Sequence, residues 1–129
     1  MAEKANFEII RFASHLGDNV GDLPTNGVTW EGDSVERTFE IEGHPVGSAY
    51  LILQLYDVDS YAHSIKINGK DLSGPDMRPN GARQWSAWPE VIGAGFLRHG
   101  KNTIRIERNR HSTDNFVVDY VFVHWKERL

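Results

Sequence analysis

The chain has 129 residues, of which 40% are hydrophobic and 25% charged, and its formal net charge is −4. This length suits one domain, residues 1–129, that buries a core without disulfides or a metal. The composition gives no sign of a disordered tract or a repeat. The net negative charge repels a phosphate backbone, so a nucleic-acid partner would require a concentrated basic stripe. The nearest candidate, the basic run from Arg98 to Arg110, is interrupted by Glu107. We therefore expect no nucleic-acid partner.

The sequence contains no cysteine, which excludes disulfides, thiolate metal sites and thiol nucleophiles. The first twelve residues, MAEKANFEIIRF, lack the apolar run of a signal peptide, and no later segment approaches the length of a membrane span. We therefore expect a cytoplasmic protein without a membrane partner.

Apolar and polar residues alternate along most of the chain, which predicts strands rather than helices. The predicted strands cover residues 6–12, 35–42, 49–57, 63–68, 84–88, 102–108 and 115–125. Glycine and proline fill the gaps, and a short helical turn is expected only near 89–97. Asn68-Gly69, between alternating apolar positions, predicts a type I′ hairpin turn. The pattern indicates an all-β sandwich of two antiparallel sheets.

Two predicted strands have an unusual outer face. In 49–57, the side chains opposite the inner leucines are Tyr50, Ile52, Gln54 and Tyr56. In 115–125, strict alternation places Phe116, Val118, Tyr120, Phe122 and His124 on one face and Val117, Asp119, Val121, Val123 and Trp125 on the other. A two-layer fold needs one apolar face per sheet. Either the N-terminal segment or a loop covers the second face, which is our preferred interpretation, or a homodimer joins sheet to sheet.

The strand 35–42 places Val35, Phe39 and Ile41 on an inner face that Arg37 interrupts. We expect Arg37 to lie near a sheet edge with its stem packed and its head in water.

Four segments carry a family resemblance: Ala49-Tyr-Leu-Ile-Leu, Ile65-Lys-Ile-Asn-Gly, Leu97-Arg-His-Gly-Lys-Asn-Thr-Ile-Arg-Ile and Phe116-Val-Val-Asp-Tyr-Val. Together they resemble the galactose-binding-domain-like jelly roll of carbohydrate-binding modules and of non-catalytic domains in glycoside hydrolases. The resemblance covers residues 34–125 and concerns a fold rather than a ligand. The chain is also similar to small stand-alone archaeal and bacterial proteins that end in a comparable Val-His-Trp-Lys segment, which offer no function to borrow.

The resemblance implies ligand binding through loops at one end of the sandwich or on a concave sheet face, by an aromatic platform beside polar groups. The region 78–88 and the turn before residue 63 hold the best candidates: Arg78, Arg83, Gln84, Trp85, Trp88, Asp59, Tyr61 and His63. A tryptophan ring suits the apolar face of a sugar, and a guanidinium suits hydroxyls or an acid group. For each tryptophan, a place in the core is the favoured alternative. The lectin signature of a His followed by paired arginines is absent from the sequence, which disfavours fucose or galactose.

The resemblance also implies a structural calcium ion between the loop after the first strand and the final strand. The oxygen ligands available there are Asp18, Asn19, Asp22 and Asp119. Their spacing matches no defined calcium loop, and turn chemistry explains Asp and Asn beside Gly equally well. No other cofactor is predicted.

No catalytic motif is present: there is no nucleophile elbow and no phosphate-binding glycine loop, and the six histidines are scattered singly. We therefore predict a non-catalytic binding module for carbohydrate or another polyol. The alternative is a protein-interaction module that buries its apolar sheet face in a homo-oligomer or larger complex. The missing signal peptide favours this alternative, and a small hydrolase or isomerase ranks below both.

Overall fold

The structure is a computed structural model that describes residues 2–23, 27–59, 63–72, 77, 79 and 83–129. None of these residues lies in a helix that is long and apolar enough to cross a membrane. The nine strands in the described part of the chain are β1 (Glu3–Leu16), β2 (Thr29–Gly32), β3 (Ser34–Ile41), β4 (Pro45–Tyr56), β5 (Ser64–Ile67), β6 (Lys70–Asp71), β7 (Trp85–Ile92), β8 (Gly100–Glu107) and β9 (Phe116–Arg128).

The strands form two sheets, as the sequence predicts. The five-stranded sheet has the order β2-β1-β9-β4-β7, and the four-stranded sheet has the order β3-β8-β5-β6. Within the larger sheet β2 runs parallel to β1, and the other neighbours are antiparallel. The core lies between the sheets, where the inward rows of β4 and β8 are buried: Ala49, Leu51, Leu53, Leu55, Ile104 and Ile106.

The predicted hairpin turn is confirmed. Asn68 and Gly69 have φ angles of 50° and 81°, both positive as a type I′ turn requires, and Ile67 pairs with Lys70 across it. The Asn68 side chain also accepts a hydrogen bond from the Thr103 amide at 2.9 Å and donates one to the Phe96 carbonyl at 2.8 Å. The turn is therefore joined to the neighbouring strand as well as closed on itself.

The helical turn predicted near 89–97 is wrong. β7 continues through Pro89 to Ile92. Proline is tolerated there because β7 is an edge strand, which pairs only with β4 and leaves half of its amides without a ladder partner. The short strands β2 and β6 were also missed by the predicted set, because a run of two to four residues carries little periodic signal.

An irregularity near Ala13 and Asp119 corrects the predicted faces of the last strand. Between the paired positions Arg11↔Tyr120 and Ser14↔Val118, β1 has one residue more than β9, and Ala13 takes a φ of 47°. β9 in turn has one residue more than β4 over the same stretch. Such bulges shift the alternation by one residue. Phe116 and Val118 therefore share the core with Val121, Val123 and Trp125, whereas Tyr120, Phe122 and His124 lie on the outer face.

Arg37 lies on the edge strand β3, as predicted, but its head is bonded to protein. Its Nη2 donates to the Phe12 carbonyl at 2.8 Å, and its Cζ lies 5.4 Å from the centre of the Phe12 ring. Phe12 immediately precedes Ala13 in the bulge, where the sheet ladder leaves backbone groups unpaired. Arg37 thus joins the two sheets at the β1 irregularity.

Candidate functional site

Several strands end together at one end of the sandwich. Register places the end of β1 beside the start of β9, with Leu16 opposite Phe116, and the end of β4 beside the start of β7, with Tyr56 opposite Trp85. The described residues 17–23, 57–59, 63, 83–84 and 108–115 connect strands here, and we call this region the loop end. It contains most of the residues that the sequence predicts for ligand and calcium binding.

A row of four aromatic residues and one valine, which we call the aromatic row, crosses the outer face of the five-stranded sheet at the loop end, and its middle members His15 and Val117 are buried. The pairings His15↔Trp30, His15↔Val117, Tyr56↔Val117 and Tyr56↔Trp85 align one residue from each strand, and paired side chains point to the same face. Trp30 and Trp85 are 47% and 49% exposed. Four strand spacings put them about 19 Å apart.

Among the described residues, Trp85 is the most accessible of the predicted ligand-binding aromatics. Its ring centre lies 5.1 Å from that of Tyr56, with the two planes at 48°. This contact holds the indole against the sheet while about half of its surface remains open to solvent. The favoured alternative of a core position is wrong for Trp85.

Trp88 points the other way, because it lies three residues further along β7. It is half-buried and packs against the core, and its Nε1 donates to Glu90 Oε2 at 2.7 Å. The structural interpretation therefore holds for Trp88 and not for Trp85. Gln84 is exposed at the start of the strand, and its carbonyl accepts a hydrogen bond from the Asp57 amide at 3.2 Å.

Arg83 is fixed beside Trp85 by two hydrogen bonds. Its backbone amide donates to Asp57 Oδ1 at 2.7 Å, and its Nη2 donates to the Asp22 carbonyl at 3.2 Å. Arg83 and Asp57 both have left-handed φ angles, 53° and 61°, which residues with a Cβ adopt at some cost. The Asp57 carboxylate holds this strained start of β7 in place, so the backbone of Arg83 is fixed two residues before Trp85, with the guanidinium bonded to the loop after β1.

Asp59 lies in an acidic environment at the loop end. The carboxyl is exposed but partly desolvated, and this loss of water raises its pKa first, followed by the neighbouring carboxylates of Asp57, Asp114 and Asp22. Its backbone amide donates to Asp114 Oδ2 at 3.0 Å. The side chain is exposed and is therefore available to accept hydrogen bonds from a ligand.

His63 lies in the interior rather than on the loop surface. Its Nε2 donates to Asp114 Oδ2 at 2.7 Å, and its Nδ1 accepts the Asn109 amide at 3.0 Å. Because both ring nitrogens are used and the residue is 3% exposed, we assign His63 a structural role. Arg78 and Tyr61, the remaining predicted ligand residues, lie outside the described residues.

The predicted calcium ligands divide between two places. Asp18, Asn19 and Asp22 share the loop after β1, where Asp18 Oδ1 accepts a hydrogen bond from Asn115 at 2.9 Å. Asn19 Oδ1 accepts the Gly21 amide at 3.1 Å and closes a local turn. Asp119 instead pairs with Arg11 at 3.3 Å.

Within the described ranges, no three His, Asp or Glu side chains are placed to hold a metal. Calcium binding by Asp18, Asn19, Asp22 and Asp119 stays a prediction.

Sequence reasoning did not identify Trp30 and gave Tyr56 only as part of a strand face. The signal for Trp30 was the short run Val28-Thr29-Trp30, which is rich in residues that favour strands but too short to show alternation. The aromatic row itself joins five separated segments of the chain. No local pattern contains it.

The fold matches known sandwich domains along nearly its whole length. One is the CBM36-1 domain of a multidomain xylanase from the hindgut metagenome of Trinervitermes trinervoides, with a TM-score of 0.56, 14% identity, and coverage of 92% of this chain and 96% of that one. Another is a family 35 carbohydrate-binding module from an environmental isolate, with a TM-score of 0.56, 15% identity and coverage of 95% and 92%.

A family 35 module from Clostridium thermocellum has a TM-score of 0.53, 20% identity and coverage of 95% and 98%. At these identities the likeness concerns the fold, which is the galactose-binding-domain-like jelly roll that the sequence segments predict. The chain belongs to DUF7383, a family of unknown function, whose model matches residues 4–127. No curated protein matches this chain.

Proposed function

We propose that this protein is a non-catalytic carbohydrate-binding module that holds a saccharide or another polyol at the loop end, on the surface formed by Tyr56, Arg83 and Trp85. The observation that carries the proposal is the half-exposed Trp85 indole, packed on Tyr56 and two residues after an arginine whose backbone amide is bonded to Asp57. The jelly-roll neighbours that are themselves carbohydrate-binding modules support the same class of function.

The chemistry of these three residues suits a sugar ring. The apolar C–H face of a pyranose packs on an aromatic ring, and its hydroxyls need donors and acceptors at the rim. Arg83 supplies donors and Asp59 supplies an acceptor, both exposed at the same end as Trp85. The rings and the arginine backbone are held before binding, so little side-chain freedom is lost when a ligand docks.

The experiment is a glycan-array screen followed by calorimetric titration of the best saccharide. Trp85→Ala is expected to weaken binding by roughly tenfold or more, the loss that corresponds to one stacking contact. Trp30→Ala is the matched control, because Trp30 has similar exposure in the same row at the opposite edge of the sheet. The control is expected to bind like the wild type.

A second pair of variants tests the arginine. Arg83→Ala should weaken saccharide binding with little change in melting temperature. Arg110→Ala, at an exposed arginine of the same end, should leave both saccharide binding and melting temperature unchanged. Each titration is run with calcium and with a chelator, since Asp18, Asn19 and Asp22 lie nearby on the loop after β1. Wild-type protein that binds no saccharide on the array, or Trp85→Ala that binds as well as wild type, contradicts the proposal.

A further inference from the structure

A polar groove lies at the loop end, on the outer face of the four-stranded sheet. Register aligns Ser34, Glu107 and Ser64 in one row across β3, β8 and β5, and all three residues line the groove. The volume of the groove is about 370 Å³, which is in the range of sites for small molecules. Three arginines also line it, and we call it the arginine groove: Arg105, Arg108 and Arg110.

Two carboxylates at the groove are each shared between two cations. Glu107 accepts hydrogen bonds from Lys66 Nζ and Arg105 Nε, both at 2.8 Å. Asp33 pairs in the same way with the other two arginines of the groove, at 2.8 and 3.3 Å. Four cations against two carboxylates leave two positive charges that no partner in the groove neutralises.

The neighbouring row of the sheet does not remove this positive charge from the groove. Glu36 and Asp71 lie in that row, but neither lines the groove. Both are exposed, so water and salt screen their effect. The arginine groove is therefore a local positive site on a chain whose formal net charge is −4, and it attracts anions.

Each arginine of the groove keeps a terminal nitrogen for a ligand. Arg105 donates from Nε to Glu107 and from Nη2 to Ser34 Oγ at 2.9 Å. Arg108 donates from Nε to Asp33 and from Nη1 to the Ser112 carbonyl at 2.9 Å. Within the described residues, Arg105 Nη1, Arg108 Nη2 and both terminal nitrogens of the third arginine donate to no protein group, and none of them is buried.

Two of these arginines are held in position before a ligand binds. The Arg105 guanidinium is fixed between Glu107 and Ser34. The Arg108 side chain is only 9% exposed, and its backbone amide also donates to the Asp33 carbonyl at 2.9 Å. Little side-chain freedom is therefore lost when an anion docks.

We propose that the arginine groove binds a phosphate or sulfate group of a small molecule. A guanidinium group donates paired hydrogen bonds to an oxyanion in a fixed geometry. One arginine can engage both oxygens of a carboxylate, whereas a tetrahedral anion presents oxygens in several directions and can accept from several arginines at once. Three arginines with free terminal nitrogens thus favour the tetrahedral class. The groove is larger than such an anion alone, so it also has room for a small molecule that carries the group.

This inference goes beyond the proposed saccharide site and does not depend on it. The arginine groove lies on the four-stranded sheet, whereas Tyr56 and Trp85 belong to the five-stranded sheet. Trp85→Ala and Arg83→Ala should therefore leave anion binding unchanged. Failure of the anion site and failure of the saccharide site are distinguished by these variants.

The test is a titration of isotope-labelled protein, followed by NMR, at low ionic strength in a buffer free of other oxyanions. The probes are inorganic phosphate, inorganic sulfate, glucose 6-phosphate and glucose. We expect at least one oxyanion to give saturable shifts of the Ser64, Arg105 and Asn109 amide signals, and glucose to give none there. The order of the dissociation constants then distinguishes phosphate from sulfate, and a free anion from an ester.

Arg105→Gln should weaken binding of the best anion by about tenfold or more, because it removes a charged donor. Arg98→Gln is the matched control: Arg98 is exposed and also donates to a backbone carbonyl, but it does not line the groove. It should bind the anion like wild type. If Arg105→Gln fails to fold, Ser64→Asp decides, because its added negative charge in the groove should weaken binding in the same direction.

Two results overturn the proposal. One is wild-type protein in which no oxyanion gives saturable shifts at the arginine groove. The other is a folded Arg105→Gln or Ser64→Asp variant that binds the anion as tightly as wild type does.

Discussion

His63 donates a hydrogen bond from Nε2 to Asp114 Oδ2 over 2.7 Å, between two side chains that are 0% and 1% exposed. The same carboxylate oxygen accepts the Asp59 amide, and the other ring nitrogen accepts the Asn109 amide. The imidazole therefore connects two loops of the candidate site, and its ring packs 4.2 Å from that of Phe116. The loop end is built on this buried pair.

Replacing His63 should test that role. His63→Phe keeps an aromatic ring against Phe116 but removes both hydrogen bonds, and it leaves a buried amide and carboxylate with one partner fewer. We expect a loss of about 2–4 kcal/mol in the free energy of unfolding, measured by urea denaturation. His111→Phe, at an exposed histidine of the same end, is the control and should change stability by about 0.5 kcal/mol or less. Equal stability of the two variants would disprove the structural assignment.

Glu127 should make the stability of the fold depend on pH in the acid range. Its pKa is lowered chiefly by the hydrogen bond from Trp125 Nε1, and further by Asn6 and Lys4, against the opposing effect of burial. A carboxyl with a lowered pKa in the folded state stabilises the fold above its unfolded pKa, and this contribution is lost as the pH falls through the folded pKa. Wild-type stability should therefore decline below about pH 4.5.

Glu127→Gln should have a lower melting temperature at pH 7 and a shallower decline in acid. The matched control is Glu42→Gln, at an exposed glutamate, which should keep the wild-type acid profile. A Glu127→Gln profile parallel to that of wild type from pH 7 to acid would show that another carboxyl controls the acid transition.

The hairpin at Gly69 should tolerate no β-branched residue. Gly69 has a φ of 81°, and an added Cβ meets nothing within 4 Å, so only backbone strain opposes substitution. Gly69→Val should cost about 1–3 kcal/mol, read from the denaturant midpoint. Gly21→Val is the control, since a Cβ there has its nearest contact at 3.7 Å and no positive φ is required. An unchanged midpoint for Gly69→Val contradicts the turn geometry.

Arg37 should stabilise the fold through its guanidinium group as well as through its aliphatic stem. Arg37→Met keeps an apolar stem beside Phe12 and removes the donor to the Phe12 carbonyl, which still accepts a bond from Ser14 Oγ at 2.8 Å. We expect the free energy of unfolding to fall by about 1–2 kcal/mol. Arg98→Met removes a comparable bond to a backbone carbonyl at an exposed position and should cost less. Chemical denaturation of both variants measures the two changes in unfolding free energy. Equal losses of stability in Arg37→Met and Arg98→Met would contradict a bridge between the sheets.

Local patterns determined much of this fold. The alternation in 49–57 fixes which side chains of β4 face the core, since successive residues of a strand point to opposite faces. Asn68-Gly69 fixes a turn because the two residues adopt positive φ at little cost. Trp85 and Arg83 could be named as candidates from the sequence, because an aromatic and a cation lie two residues apart in a loop-bounded segment, but the sequence favoured a core position for Trp85 and did not show its exposure.

Other features depended on contacts between distant segments. The bulge at Ala13 and Asp119 is a property of two paired strands more than a hundred residues apart, so strict alternation gave the wrong face for Phe116 and Val118. His63 looked like a surface ligand until Asp114, 51 residues away, accounted for its ring. Strand order decided the rest. It aligned Trp30, Tyr56 and Trp85 in one row and left Phe7, Ile9 and Val91 exposed on the outer side of the sheet, because neighbours within a sheet are set by tertiary pairing rather than by local sequence.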